Sequence, residues 1–237
     1  MKVKKNYELN IKNILFVLFV LFIIIIILYL LSLLYLIYNN SIQNLMNEIK
    51  NKKILIVGNG PSALNKERIN LDNKYDIIIR INKKKNENKY KKCIGSKTDI
   101  YIYNPIRYLQ KLDKNNINKK KIIIYKGILD ILIFPFVFFS NRILGFYNSK
   151  YKNIYTYYLN FFECISITNN SYTYPTTGLS LLYLLNKYNI NYDLIGFDSL
   201  MNKNMKYKHY DNSYQLTILH NFNNEYDYFQ KNKKMLI

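Results

Sequence analysis

From Ile14 to Tyr38 the chain carries no charged residue, over 25 positions dominated by Ile, Leu, Phe and Tyr. As a helix rising about 1.5 Å per residue, this run crosses a hydrocarbon layer of roughly 30 Å with some tilt. A core helix of a water-soluble domain would keep a polar face, and this run has none. A cleavable signal peptide has a shorter apolar core followed by a small-residue cleavage site, and neither is present. The run therefore divides the chain into a basic tail (residues 1–13), a transmembrane anchor (14–38), a short stem (39–51) and one folded domain (52–237). Lys2, Lys4, Lys5 and Lys12 flank the anchor against the single Glu8. By the positive-inside rule they keep the tail cytoplasmic and send the C-terminal domain across the membrane. Sequons at Asn39 and Asn169 fit a luminal domain.

The folded domain has a βα rhythm. Strands are expected at Ile54–Val57, Asp76–Ile81, Asp99–Tyr103, Lys121–Tyr125 and Tyr192–Gly196, and helices at Leu179–Lys187 and Glu225–Lys234. The strands are short, β-branched apolar runs, the pattern of a parallel sheet buried on both faces. Lys83–Lys92 and Lys111–Lys121 read as charged loops, and Tyr151–Phe162 as an aromatic wall for a pocket. Ile128–Phe139 contains Pro135 and is too short to span a bilayer, so it reads as core or a membrane-facing lip. The expected fold is α/β, Rossmann-like in the GT-A-like variant: a mostly parallel sheet flanked by helices, preceded by one N-terminal transmembrane helix.

The formal net charge of +20 invites a nucleic-acid reading, but the distribution argues against it. Only Arg68, Arg80, Arg107 and Arg142 carry the forked guanidinium that base and phosphate recognition favours, and the lysines are scattered throughout. No nucleic-acid partner is expected. Cys93 and Cys164 permit one disulfide and require none, and no Cys/His cluster has zinc spacing.

In an open parallel sheet, ligands bind beyond the carboxyl ends of the strands. Gly58, Asn59 and Gly60 follow the first strand, and Asn82 the second. Thr176, Thr177 and Gly178 precede a helix, and Gly196 and Asp198 close another strand. Gly58 and Gly60 allow close backbone approach to a ligand, and Pro61 starts a helix whose free N–H groups favour an anion. The same glycines also serve a strand turn that needs them for geometry alone. His209 and His220 are the only two histidines, and imidazole titrates where a general base must. Glu225 follows His220 by five residues, a carboxylate that could orient the ring.

GNGPSA (Gly58–Ala63) fits the loose dinucleotide pattern G-x-G-x-x-G/A, the basis of a nicotinamide or flavin reading. That fingerprint wants an acidic residue at the end of the second strand, where Arg80 and Asn82 stand instead. Arg80 leaves an NADP-dependent oxidoreductase as an alternative, beside a membrane-tethered nucleotide-binding protein without catalysis.

VGNGPSA, IIIRIN and IGSKTDIYIY together resemble the long donor-binding motif of the eukaryotic-type sialyltransferases, glycosyltransferase family 29. YPTTGLSLLYLL with YDLIGFD resembles the family's short motif, His209-Tyr210 its third, and His220 with Glu225 its H-x4-E motif. The GNGPS form is also similar to bacterial family 42 enzymes. The family usually joins its long and short motifs by a disulfide, and this chain has no cysteine in Ile54–Ala63 or Leu179–Asn191. The resemblance implies a CMP-sialic acid donor, a glycan acceptor of a glycoprotein or glycolipid, and a type II membrane protein of the Golgi with a luminal catalytic domain. It implies no cofactor and no metal, since one cationic side chain can meet the charge of a departing monophosphate. By the same resemblance Gly58, Asn59, Gly60, Asn82, Ser96, Thr176, Thr177, Gly178 and Tyr210 bind the donor. His220 is the general base, His209 stabilises the leaving phosphate and Glu225 completes the catalytic set.

Overall fold

The computed structural model describes residues 13–27, 30, 41–82, 87–104, 120–126, 153–169, 173–203 and 220–232. The chain separates into two compact units, Met1–Asn39 and Asn40–Ile237. In the first, residues 13–27 form helix α1, whose large apolar side chains are 37–68% exposed. No helix among the described residues is long and apolar enough to cross a membrane; most of the run beyond residue 27 lies outside them.

The described helices of the second unit are α2 (Ser41–Ile49), α3 (Leu71–Lys74), α4 (Lys91–Ile94), α5 (Phe161–Thr168), α6 (Thr177–Lys187), α7 (Asp198–Met201) and α8 (Phe222–Asn232). Its strands are β1 (Ile54–Val57), β2 (Ile77–Ile81), β3 (Ile100–Tyr103), β4 (Lys120–Lys126), β5 (Ile154–Leu159) and β6 (Asp193–Ile195). They make a six-stranded sheet in the order β5-β4-β3-β2-β1-β6 with every neighbour parallel. Val57 lies beside Arg80 on one side and Ile195 on the other.

Period-two alternation sorts the strands onto two faces. Ile54, Ile56, Ile79, Ile81, Ile100, Ile102, Ile122 and Ile124 share one cluster with residues of α2, α5, α6 and α8. Leu55, Val57 and Ile78 turn the other way, onto Ala63, Leu71 of α3 and Ile94 of α4. Apolar residues buried on both faces explain the near-continuous Ile and Leu runs.

The strand expectations at β1, β2, β3, β4 and β6 agree with the structure within a residue at each end, and α6 begins two residues early at Thr177. Helix α8 begins three residues before the expected Glu225, and three further stretches differ. Residues 41–49, expected as connector, form α2, which buries Leu45, Met46 and Ile49 to 1% exposure or less. Each such side chain contributes about 1.5–3 kcal/mol of apolar burial, so α2 belongs to the folded unit. The aromatic stretch supplies strand β5 and opens α5, where Asn160 and Glu163 form a reciprocal cap at the helix start. The expected loop at Lys83–Lys92 ends in a 3-10 turn, Glu87–Tyr90, that leads into α4. Ile128–Phe139 and most of Lys111–Lys121 lie outside the described residues.

Candidate active site

The topology reverses at β1: the chain steps outward from β2 to β5 and returns to β6 on β1's other side. Ligands of open α/β sheets favour such a switch point, and here the turn after β1 is bonded directly to the turn after β6. The N–H groups of Gly58 and Gly60 donate to the carbonyls of Ile195 and Gly196, each at 2.8 Å. A Cβ at Gly58 would lie 2.3 Å from the Gly196 oxygen, and one at Gly60 would lie 1.7 Å from Asp198 Oδ2. Pro61 opens a single 3-10 turn, Pro61–Leu64, and Ser62 donates from both its N–H (3.1 Å to Oδ1) and its Oγ (2.9 Å to Oδ2) to Asp198. The anion expected at this helix start is thus the chain's own carboxylate, and the glycines make room for the β6 loop.

Arg80 is also consumed internally. It is 3% exposed, and its guanidinium donates to Thr98 Oγ1 at 2.8 Å and to the carbonyls of Ile94 and Gly95 at 2.7 and 3.0 Å. A guanidinium so engaged has no fork left for a ribose phosphate, which removes the physical basis of the NADP reading. Ser96 lies before β3, at the end of the sheet opposite the strand carboxyl ends. Its N–H and Oγ both bond Asp72, the Oγ at 2.6 Å. The structure does not bring Ser96 to the rim that carries the other candidates.

The reactive groups gather where the segment Tyr174–Thr176 enters α6. Thr176 caps that helix, its Oγ1 accepting from Leu179 N–H at 3.3 Å. Its N–H and Oγ1 donate to the two carboxylate oxygens of Glu225, at 2.9 and 2.7 Å. Glu225 is wholly buried. His220 Nδ1 sits 2.7 Å from the Tyr174 carbonyl oxygen. A carbonyl only accepts, so Nδ1 carries the proton and Nε2 keeps its lone pair. Glu225 Oε1 is 4.0 Å from Nδ1, too far to orient the ring. His220 precedes α8, so the five-residue spacing from Glu225 is not a helical one. The backbone, and not the carboxylate, sets the tautomer.

Burial tunes both groups in opposite directions. It draws the His220 imidazole down to about 4, helped by the charge of Lys126 and partly offset by the bond to Tyr174. It pushes Glu225 up to about 7 against the bonds from Thr176 and the Lys126 charge. A neutral ring at 4.0 Å makes no ion pair with Glu225, and His220 at neutral pH is an uncharged base.

The candidate nucleotide side lies on neighbouring strand ends. Asn59 Nδ2 donates to the Ile81 carbonyl at 3.0 Å, which ties the β1 turn to the end of β2. Asn82 adopts the left-handed conformation (φ 48°), and its N–H donates to Ile102. Its Oδ1 is buried without a hydrogen-bond partner, an acceptor left for something else. A Cβ on Gly178 would lie 3.0 Å from the Phe197 ring and 3.4 Å from Ile81 Cδ1. Thr177 is buried at the first position of α6. Asn59, Asn82 and Gly178 therefore converge around the end of β2. His209 and Tyr210 lie outside the described residues. Among the described residues, no three His, Cys, Asp or Glu side chains could hold a metal ion. Cys93 and Cys164 are both free thiols.

Lys126 is the residue that the sequence hid. It ends β4, is 7% exposed, and its Nζ donates to the Pro175 carbonyl at 2.8 Å. Among 35 basic residues nothing marks it, except its place at the end of an apolar strand run, IIIYK.

No curated protein matches the sequence. A mammalian sialyltransferase crystal structure superposes with TM-score 0.52 at 20% identity, covering 76% of this chain and 65% of its own. A mammalian sialyltransferase in complex with Gal-beta-1-3GalNAc-ortho-nitrophenol superposes with TM-score 0.53 at 16% identity, covering 78% of this chain and 67% of its own. These likenesses establish the fold, and this chain spans just under two thirds of the first structure's length. The family profile described as "Glycosyltransferase family 29 (sialyltransferase)" matches residues 28–235. With that match running over most of its length, the chain belongs to glycosyltransferase family 29, the sialyltransferases.

Proposed function

We propose that the protein transfers sialic acid from CMP-sialic acid to a hydroxyl of a glycan acceptor, with inversion at the anomeric carbon. Family membership supports the donor class. The single observation that carries the mechanism is the 2.7 Å bond from His220 Nδ1 to the Tyr174 carbonyl, which commits Nε2 to accepting a proton. The acceptor oxygen forms a bond to the anomeric carbon as the bond to the CMP phosphate breaks. The hydroxyl proton passes to His220 Nε2, and the bonding electrons leave with CMP. An uncharged base is ready for this at neutral pH. Donor binding would bring negative charge beside the ring and raise its basicity for the transfer.

Asn59, Asn82, Thr177 and Gly178 are the residues we assign to the donor, with the unpartnered Asn82 Oδ1 facing a donor group of the nucleotide. Thr176 and Glu225 act behind them, as the frame that holds the Tyr174 carbonyl. His209 and Tyr210 are assigned to the leaving phosphate on the strength of the motif resemblance. The reaction needs no metal in this reading. Residues 14–38 anchor the protein as a type II membrane protein of the Golgi, with the basic tail in the cytoplasm and the catalytic domain in the lumen.

The test is CMP release by the full-length protein in detergent, supplied with CMP-sialic acid, galactose-terminated acceptors and EDTA. Release should persist in EDTA, and His220→Ala should lower kcat by about 10²–10⁴-fold with CMP binding nearly intact. Unchanged kcat in that variant removes His220 from the mechanism. CMP binding without release from CMP-sialic acid, but with release from CMP-Kdo, would keep the mechanism and change the donor.

A further inference from the structure

A second charged group stands behind the candidate base. Glu225 is 0% exposed and Lys126 is 7% exposed. They grip the same short segment from two sides: Lys126 Nζ holds the Pro175 carbonyl at 2.8 Å, and Glu225 holds the Thr176 N–H at 2.9 Å and Oγ1 at 2.7 Å. The adjoining carbonyl, that of Tyr174, is the one that fixes His220. Three consecutive residues thus connect a buried cation, a buried carboxylate and the imidazole. Burying two opposite charges is costly unless each is satisfied, and a hydrophobic segment would close this loop with less loss. A pure packing role does not explain why a lysine stands at the end of an apolar strand.

We propose that Lys126 is a positioning residue for the transfer reaction, acting on His220 through the Tyr174–Thr176 segment and through its charge beside Glu225. This rests on the transferase reading above. Lys126 does not touch donor or acceptor in this proposal. Burial is the main reason the ring stays neutral; the Lys126 ammonium adds to it and balances whatever charge Glu225 carries. Among the described residues, the titratable groups that act on or face the ring are Lys126 from β4 and Glu225 from α8. The sign follows directly: a nearby cation disfavours imidazolium, so removing it raises the pH at which His220 gains a proton.

The chain has only two histidines, so imidazole NMR of the full-length protein in detergent micelles shows two ring systems, with His220→Asn assigning them. In Lys126→Met the His220 titration midpoint should rise by about one pH unit or more. The acid limb of kcat/KM should move up with it, with kcat falling about tenfold and donor KM little changed. Lys126→Arg, which keeps the cation, should restore the midpoint. If Lys126→Met fails to fold, the same NMR comparison is made between Lys126→Met/Glu225→Gln and Glu225→Gln, which differ only at residue 126. An active wild type whose His220 midpoint and acid limb are the same with and without Lys126 overturns the proposal and leaves the transferase reading standing. A wild type that releases no CMP, but whose His220 midpoint moves in Lys126→Met, overturns the transferase reading and supports the electrostatic assignment of Lys126.

Discussion

Two carboxylates in this domain are held by the same pair of donors and end in different situations. Asp198 takes the N–H and hydroxyl of Ser62, and Glu225 takes the N–H and hydroxyl of Thr176. Around Asp198 the space is closed on one side: Gly60 presses against the carboxylate and against the Gly196 carbonyl, with no room for a methyl group. Around Glu225 lie an imidazole with a free lone pair and a buried ammonium. A third carboxylate, Asp72, takes the N–H and hydroxyl of Ser96 near the surface. Burial pushes Asp72 up too, but the bonds from Ser96 outweigh it and hold the carboxyl below its ordinary value, whereas full burial of Glu225 wins over equivalent bonds. Hydrogen bonds alone do not make a reactive carboxylate; their balance with burial decides which form is present at neutral pH.

The largest effect should come from filling the closed site. Gly60→Ala places a methyl group 1.7 Å from Asp198 Oδ2 and 2.9 Å from the Gly196 carbonyl, so it should cost more than about 4 kcal/mol or abolish cooperative unfolding. A urea midpoint equal to wild type would show that the β1 and β6 turns are not locked. The Glu225 site should respond to pH instead. Its folded carboxyl is raised from 4.5 to about 7, so wild-type stability from this group falls as pH rises across that range. His220 is lowered from 6.5 to about 4, so its contribution is lost as pH falls through that range. The two nearly cancel in the wild type. Glu225→Gln removes only the first, and its stability relative to wild type should climb by about 3 kcal/mol between pH 4 and 8. Thermal unfolding at several pH values measures this, and a pH-independent difference would mean Glu225 ionises normally. Ser96→Ala, at the exposed end of the series, should cost about 1 kcal/mol or less and leave CMP release untouched. A large loss of turnover there would return Ser96 to the donor site.

The sheet was legible in the sequence because its strands are buried on both faces, and runs such as Ile54–Val57 and Ile77–Ile81 admit little else. Helix α2 was not, because nine residues give barely more than two turns of period, and they follow a long apolar run that dominates any window. The Asn160…Glu163 cap was readable and marks the start of α5. In the candidate site, Thr176, Glu225 and His220 were found as residue types at motif positions, but their bonding was not. That His220 answers to a carbonyl rather than to Glu225 depends on the path of Tyr174–Thr176, 46 residues earlier in the chain. Lys126 was invisible for a different reason: in so lysine-rich a chain only burial distinguishes it.

The pairing of β1 with β6 also dictates an order of events as the chain is made. β1 meets β2 after a separation of 23 residues, but Leu55 finds Asp193 only after 138. Until the chain has been made past Ile195, the wholly apolar β1 presents a bare edge, and closing so long a loop is slow. Synthesis that stops short of β6 therefore leaves β1, an interior strand of the finished sheet, as its open edge, a species that quality control can bind.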